Sequence, residues 1–500
     1  MTEDSSKRVW CALGFLTLAV LTSIVDTSVM TVSTPSIAKA FGAHVSLVEW
    51  NTTIYSLLFG STMLLWGKLG EMYGHKYMFV IGNAIFALGS ALVGMSPTVG
   101  TMIASRALQG VGAAMLNPSA IALIALSFPP KQRSIAFGIN GMAASIGVAL
   151  GYVVGGACAE YWGWRWAFLV NLPLCLISAV GVWHFLPFAS DQKEQRPRLD
   201  VIGAVQSLLG IGLVIFGLSE GFKFGWWQPS PFLASLAPSL PVSPIPFVFV
   251  VAITLIVLFW RRELKLQRSG GEPVFDVTLF NLASFRWGGV VSFLRTLSMF
   301  VVNYGIVLYL QIYEGVPALQ AAIISFPNAA AGFFGAPIGG WLSNKIGAAR
   351  SVQLGLVAQT IGTIWVWQII APTLSVWELI GPFAIFGFGS GLAGAQLTTA
   401  SLQDVPRERT GDASGALITV RQLGASFAVA TYAVVTKFTF VTLAMEGFHK
   451  KRIATISERD VVLIMFFISV ACIFITSLIP NRKGSDAKAE GAAHEASSAE

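Results

Sequence analysis

The sequence predicts an all-α integral membrane protein: two pseudo-symmetric six-helix bundles plus two intervening transmembrane helices. Three observations predict it. Apolar runs recur along the whole chain, basic residues gather in alternate segments between them, and one polar turn occurs twice. At 54% hydrophobic and 11% charged residues, with mean hydropathy +0.69, the chain is far from the roughly 25% charge of a soluble domain.

Runs of about 20 apolar residues, enough to cross a bilayer, centre near residues 20, 57, 87, 113, 146, 176, 211, 252, 299, 329, 361, 389, 425 and 470. The first begins near Val9 behind Lys7 and Arg8, outruns a signal peptide and lacks a small-residue cleavage site, so it is expected to be retained. An even count puts both termini on one side. With that side cytoplasmic, the inner segments hold most of the Lys and Arg, including Lys68, Lys76, Arg133, Arg196, Arg262, Lys265, Arg350 and Arg409. The outer loops hold few, such as Lys39, Arg165 and Lys223. This is the positive-inside pattern, so the net charge of +7 reflects topology, and no nucleic-acid partner is expected. If one middle run only lay along the surface, the termini would fall on opposite sides and the charge pattern beyond it would invert.

The expected domains are residues 1–190, a first six-helix bundle; 191–272, a linker with two extra helices; 273–483, a second bundle; and 484–500, a disordered cytoplasmic tail rich in Ala, Ser and Glu. Internal repetition defines the bundles. Gly67-Lys68-Leu69-Gly70-Glu71-Met72-Tyr73-Gly74-His75-Lys76 returns as Gly340-Trp341-Leu342-Ser343-Asn344-Lys345-Ile346-Gly347. Pro129, Ala136, Gly138 and Gly147 align at nearly the same offset with Pro406, Ala413, Gly415 and Gly424. Two such halves are expected to enclose a midplane cavity, the arrangement of duplicated transporters.

Few charged residues lie inside the runs. Asp26 sits mid-run, with Thr22 one turn before and Met30 one turn after on the same face. Desolvation disfavours a charged carboxylate. A group neutral in one state and ionised in another is the minimum equipment for proton coupling. A purely structural Asp bonded to nearby Ser and Thr is the alternative. Arg106, Arg295 and Arg421 also lie mid-run, where each costs about 2.5–3.5 kcal/mol even on the mild insertion scale. Three arginines against one Asp suit an anionic or neutral substrate at least as well as a cation. Asn303 and Gln422 join Met30, Arg295 and Arg421 as cavity candidates. Gly147, Gly151 and Gly155 recur every four residues and form a face for close helix packing.

In their order, several motifs resemble the major facilitator superfamily, in particular its fourteen-helix drug:proton antiporter branch. Gly67, Leu69, Gly74 and Lys76 fit the loop motif between helices 2 and 3, with Glu71, Met72 and His75 replacing its usual charged residues. Arg106-Ala107-Leu108-Gln109-Gly110 is similar to the family's fourth-helix motif, and the Gly147 stripe to its antiporter motif, with Tyr152 where a Pro is usual. Val25-Asp26-Thr27-Ser28 with Pro35, then Trp50 and Tyr55, Trp164-Arg165-Trp166 with Asn171 and Pro173, Leu199-Asp200 with Gly203, and Arg421-Gln422-Leu423-Gly424 extend the likeness over residues 10–480. The resemblance implies proton coupling at Asp26 and Arg106. It also implies a gate at Gly67, Glu71, Gly74 and Lys76, where Glu71 meets the positive amino-terminal end of a helix from the other half.

Other patterns carry no chemistry. Gly389-Ser390-Gly391-Leu392-Ala393-Gly394 satisfies a dinucleotide motif but lies in an apolar run with no strand before it. No Walker loop is present, so ATP is not the expected energy source. The five histidines and four cysteines have no metal-like or disulfide-framework spacing. Neither a metal nor a cofactor is expected. Asn51-Thr52-Thr53 is a formal glycosylation sequon against the membrane, read as unused. The expectation is a monomeric, non-enzymatic secondary transporter in the plasma (inner) membrane, exporting lipophilic or amphipathic small molecules in exchange for protons. The alternatives are a proton-coupled organic-anion transporter, importers included, and a ligand sensor that transports nothing.

Overall fold

The structure, a computed structural model, describes residues 3–43, 45–186, 199–230, 233–234, 241–269, 271, 273–316, 318–371, 374–406, 409–445 and 450–481. The predicted tail 484–500 and residues 191–198 of the predicted linker segment lie outside the described residues, as do the side chains of Pro35 and Tyr152. The long elements are α1 (Glu3–Phe41), α2 (Val45–Tyr73), α3 (His75–Gly94), α4 (Val99–Ser127), α5 (Pro130–Ala157), α6 (Trp164–Leu169) continued by α7 (Asn171–Phe185), α8 (Val201–Phe224) and α9 (Ile245–Arg268). After a short 3-10 turn come α10 (Ala283–Ile312), α11 (Ala318–Ile346), α12 (Ala348–Ile369), α13 (Ile380–Leu402), α14 (Thr410–Met445) and α15 (Lys450–Thr476).

Every predicted apolar run falls on these helices. Eleven of the described stretches are long and apolar enough to cross a membrane, both middle helices among them. The other three long helices are α2, α11 and α12. Buried polar side chains occur among them: Asn51 and Lys68 of α2 and Gln359 of α12. Asn51 Nδ2 donates to the Val48 carbonyl within α2.

The chain divides into two compact units. The first comprises Met1–Ala122, Leu150–Leu279 and Glu408–Val434; the second Leu123–Ala149, Phe280–Arg407 and Val435–Glu500. In the first, Val29, Met30, Ile37, Val48, Trp164 and Phe168 form a buried apolar cluster, and α8 packs on α2 and α9. In the second, Val291, Val352, Leu356, Leu397 and Cys472 form its counterpart.

The sequence repeat is also a repeat of contacts. In the first unit a Cβ on Gly112 of α4 would lie 2.8 Å from the Gly82 carbonyl of α3, and one on Gly89 would lie 2.9 Å from the Gln109 amide. At the corresponding positions of the second unit, Gly355 of α12 meets the Gly389 carbonyl of α13 at 2.8 Å and Gly362 meets the Phe386 amide at 2.6 Å. Each helix pair therefore packs backbone to backbone through small residues. The dinucleotide-like glycines accordingly serve helix packing: Gly391 abuts the Gly332 backbone of α11. The two copies of the polar turn share a left-handed glycine, Gly74 at φ 97 and Gly347 at φ 94, which lets the chain reverse directly into the next helix.

The Leu199-Asp200…Gly203 motif closes α8 onto α9. Arg262 of α9 donates to both Asp200 carboxylate oxygens, at 2.6 and 2.8 Å, and Gly203 leaves room for Asp200 and the buried Glu263. Burial raises the pKa of Asp200, but the Arg262 hydrogen bond, aided by the Gly203 and Ile202 amides, outweighs it and holds the carboxyl below its ordinary value. A depressed carboxyl stabilises the fold above its unfolded pKa, and that contribution is lost as pH falls through the lowered value. Acidification below the ordinary carboxylate range should therefore lower the Tm of the detergent-purified protein more than that of Asp200→Asn; parallel curves would show that this latch adds nothing.

Candidate functional site

Asp26 and Arg106 find each other. Both are fully buried in the first unit, and Arg106 Nη1 donates to Asp26 Oδ2. α1 and α4 bring them together across 80 residues of chain. Arg106 Nη1 also donates to Gln109 Oε1 at 2.8 Å. Gln109 Nε2 and Asn171 Nδ2 donate to Asp26 Oδ1, at 3.0 and 2.9 Å. Asn171, the first residue of α7, is held in turn by Ser90 Oγ at 2.9 Å. Arg106 Nε donates to the Asn51 carbonyl at 3.4 Å, and the guanidinium lies 4.4 Å over the Tyr55 ring. Every group around the Asp26 oxygens is an N–H donor, and an ionised carboxylate accepts only. These donors complement the buried Asp26–Arg106 ion pair.

The glycine stripe lies alongside. A Cβ on Gly151 would collide with Ser28 and lie 2.7 Å from the Val25 carbonyl, and one on Gly155 would lie 3.0 Å from Val29 Cα. α5 therefore touches α1 on either side of Asp26 in sequence. Gly147 is also buried.

A second polar cluster sits at the repeated turn. Glu71 Oε1 accepts the backbone N–H of Asp412 at 3.0 Å, in the first turn of α14, where the helix dipole favours a carboxylate. Lys68 Nζ lies 4.0 Å from both Glu71 and the buried Asp412. Arg409 reaches Asp412 at 3.8 Å and Asp276 at 3.5 Å. Gly67 makes the approach possible, since a Cβ there would lie 2.8 Å from the Gly411 carbonyl. The second unit repeats the contact with other residues: Gly340 would meet the Ser134 carbonyl at 2.8 Å, and Ser343 bonds Ser134 at 3.3 Å. The Lys76 ammonium donates to the Trp183 and Leu186 carbonyls at 2.9 and 2.5 Å, closing the carboxyl end of α7.

The cavity candidates are divided between the two units. Met30 is fully buried in the apolar core of the first unit. Gln422 packs against Gly60 of α2 in the same unit, and Arg421 precedes it on α14. In the second unit, Arg295 Nη2 donates to the Ser390 carbonyl and hydroxyl at 2.6 and 2.9 Å, with Gly394 giving the guanidinium room. Asn303 accepts from Asn328 at 2.5 Å. Sequence reasoning passed over Gln109 and Asn328 as site residues. Gln109 is three residues after Arg106, hence on the same helix face, and that spacing was the signal available. Asn328 had none.

Residues 16–429 match the family described as Major Facilitator Superfamily. The chain is 32% identical over 434 residues to the "Probable actinorhodin transporter" of Streptomyces coelicolor, covering 85% of this chain and 72% of that one. It is 29% identical over 437 residues to the "Cephamycin export protein CmcT" of Amycolatopsis lactamdurans, covering 87% and 85%. Its fold is similar to that of the solved proton:xylose symporter XylE, with TM-score 0.63, 15% identity and coverage of 96% and 98%. With the family matched over most of its length and a helical architecture shared with a solved member, the chain belongs to the major facilitator superfamily and is a multi-pass membrane transporter.

Proposed function

We propose that this transporter exports lipophilic or amphipathic small molecules in exchange for protons, as a member of the fourteen-helix antiporter branch. The observation that carries the reading is the buried Asp26–Arg106 pair with its Gln109 and Asn171 donors. A proton on Asp26 removes the counter-charge of a buried arginine, and leaving such a charge uncompensated costs about 3–5 kcal/mol. Proton binding therefore cannot be indifferent to conformation: the helices carrying the pair must rearrange to resolvate or re-pair Arg106. That link between protonation and helix position is what alternating access requires. Asp26 carries the proton, Arg106 tunes it, and Glu71 at the α14 terminus fastens the inner gate.

Export is supported by the relatives, named for actinorhodin transport and cephamycin export. The organic-anion reading rested on a surplus of mid-helix arginine, and the pairing of Arg106 with Asp26 removes part of that surplus. The protein acts as a monomer in a bacterial inner membrane, its bundles bounded at 190 and 273, with both termini cytoplasmic. In everted membrane vesicles energised by a pH gradient, ethidium accumulation should fall to background in Asp26→Asn. Gradient-driven accumulation by that variant at the unsubstituted rate would exclude Asp26 as the proton carrier.

A further inference from the structure

The middle helices α8 and α9 have no assigned task, yet α8 lies against the part of α2 that touches the Asp26–Arg106 pair. The segment Trp50 to Tyr55 presents two faces. Asn51 and Tyr55, one turn apart, engage Arg106 through the Asn51 carbonyl and the Tyr55 ring. Trp50 and Thr53 point to α8 instead. Thr53 Oγ1 donates to Glu220 Oε1 at 2.7 Å, and Trp50 packs 6.0 Å from the Phe216 ring. Glu220 is 3% exposed. Its other oxygen lies 3.6 Å from Lys223 on the same helix, and the Lys223 ammonium is 5.9 Å over Trp50. Of the described charged groups, Lys223 faces Glu220, and Glu49, one turn before Thr53 on α2, is exposed.

A buried carboxylate is costly unless its oxygens are satisfied, and this one takes its side-chain hydrogen bond from α2. The bond fixes the rotation and height of α2 within about one turn of the residues that hold Arg106. We infer that Glu220 is a positioning residue for the proton-coupling pair, acting through Thr53 and α2, so that the middle helices help set the proton affinity of Asp26. This rests on the proposed role of Asp26 as proton carrier. Releasing α2 would slacken the Asn51 and Tyr55 hold on Arg106 and loosen its grip on the Asp26 carboxylate.

The test needs no substrate. Tm is measured against pH for the purified full chain in detergent, and subtracting the Asp26→Asn curve isolates the Asp26-dependent transition. Glu220→Ala is expected to move that transition towards higher pH by about one unit, a tenfold change in proton affinity. Thr53→Val should move it alike, with no further change when the two are combined. Glu220→Gln, which keeps the acceptor, should restore it. A transition unmoved by Glu220→Ala and Thr53→Val, with Tm lowered equally at all pH values, would overturn the inference and make Glu220 merely structural. Should Glu220→Ala not fold, Thr53→Val alone decides. Curves for the unsubstituted protein and Asp26→Asn that never diverge would remove Asp26 as a proton site and the inference with it. Absence of proton flux with an intact Asp26 transition would instead fail the transport reading alone.

Discussion

Arg106→Met is expected to destabilise the folded protein by about 3–5 kcal/mol, because it leaves the Asp26 carboxylate buried without its counter-charge. Gln109 and Asn171 would still donate to Asp26 Oδ1, but neutral donors do not replace a guanidinium. Asp26→Asn should cost a similar amount by stranding Arg106. The double variant Asp26→Asn/Arg106→Met should recover most of the loss, since replacing both members of a buried pair is often neutral or better. Equilibrium unfolding of the four proteins in detergent gives the coupling energy directly. Equal and additive losses would mean that the pair is not coupled. The same double variant should be stable yet incapable of gradient-driven transport, which separates folding from proton coupling.

Gly67→Val is expected to weaken the inner gate by about 1–3 kcal/mol, the usual cost of overpacking. The clash is with the Gly411 carbonyl, a backbone atom inside α14 that has no rotamer to escape into. Since about 1.4 kcal/mol is a tenfold change in an equilibrium, the fraction of closed gates should fall about tenfold or more. Ser414 is buried on α14, one turn into the helix. In a chain lacking its native cysteines, Ser414→Cys should be labelled from the inner side at least about tenfold faster when Gly67→Val is added. Glu71→Ala, which removes only a helix-end acceptor, should shift labelling less, in line with about 0.5–2 kcal/mol for a lost cap. Labelling indifferent to Gly67→Val would mean that the α2–α14 contact does not gate access.

The helices were legible because each is an apolar run bounded by charge, and the repeat because its glycines recur at one spacing. The contacts then repeat too: Gly82 with Gly112, and Gly355 with Gly389. Asp26 and Arg106 were legible as charges inside apolar runs. Their partnership was not, because residues 80 positions apart carry no local sign of meeting. Counted singly, the arginines looked like an uncompensated surplus. Met30 follows Asp26 by one turn, and helical spacing grouped the two. The structure seats Met30 among apolar side chains, because a shared face does not fix which neighbour it meets. Lys76 was legible as part of the turn, but its bond to the end of α7 was not, because that partner lies more than 100 residues away in sequence. Thr53 read only as part of a sequon. Its bond to Glu220 depends on α8 lying beside α2, and nothing in either helix alone announces that.

Proton flux in proteoliposomes holding a pH-sensitive dye, challenged with cationic, neutral and anionic lipophilic compounds, distinguishes a proton-carrying Asp26 from a structural one. Cationic or neutral compounds should drive proton release through the unsubstituted protein and none through Asp26→Asn. Proton entry alongside anions, or release that persists in Asp26→Asn, would show that Asp26 does not exchange a proton for an exported substrate.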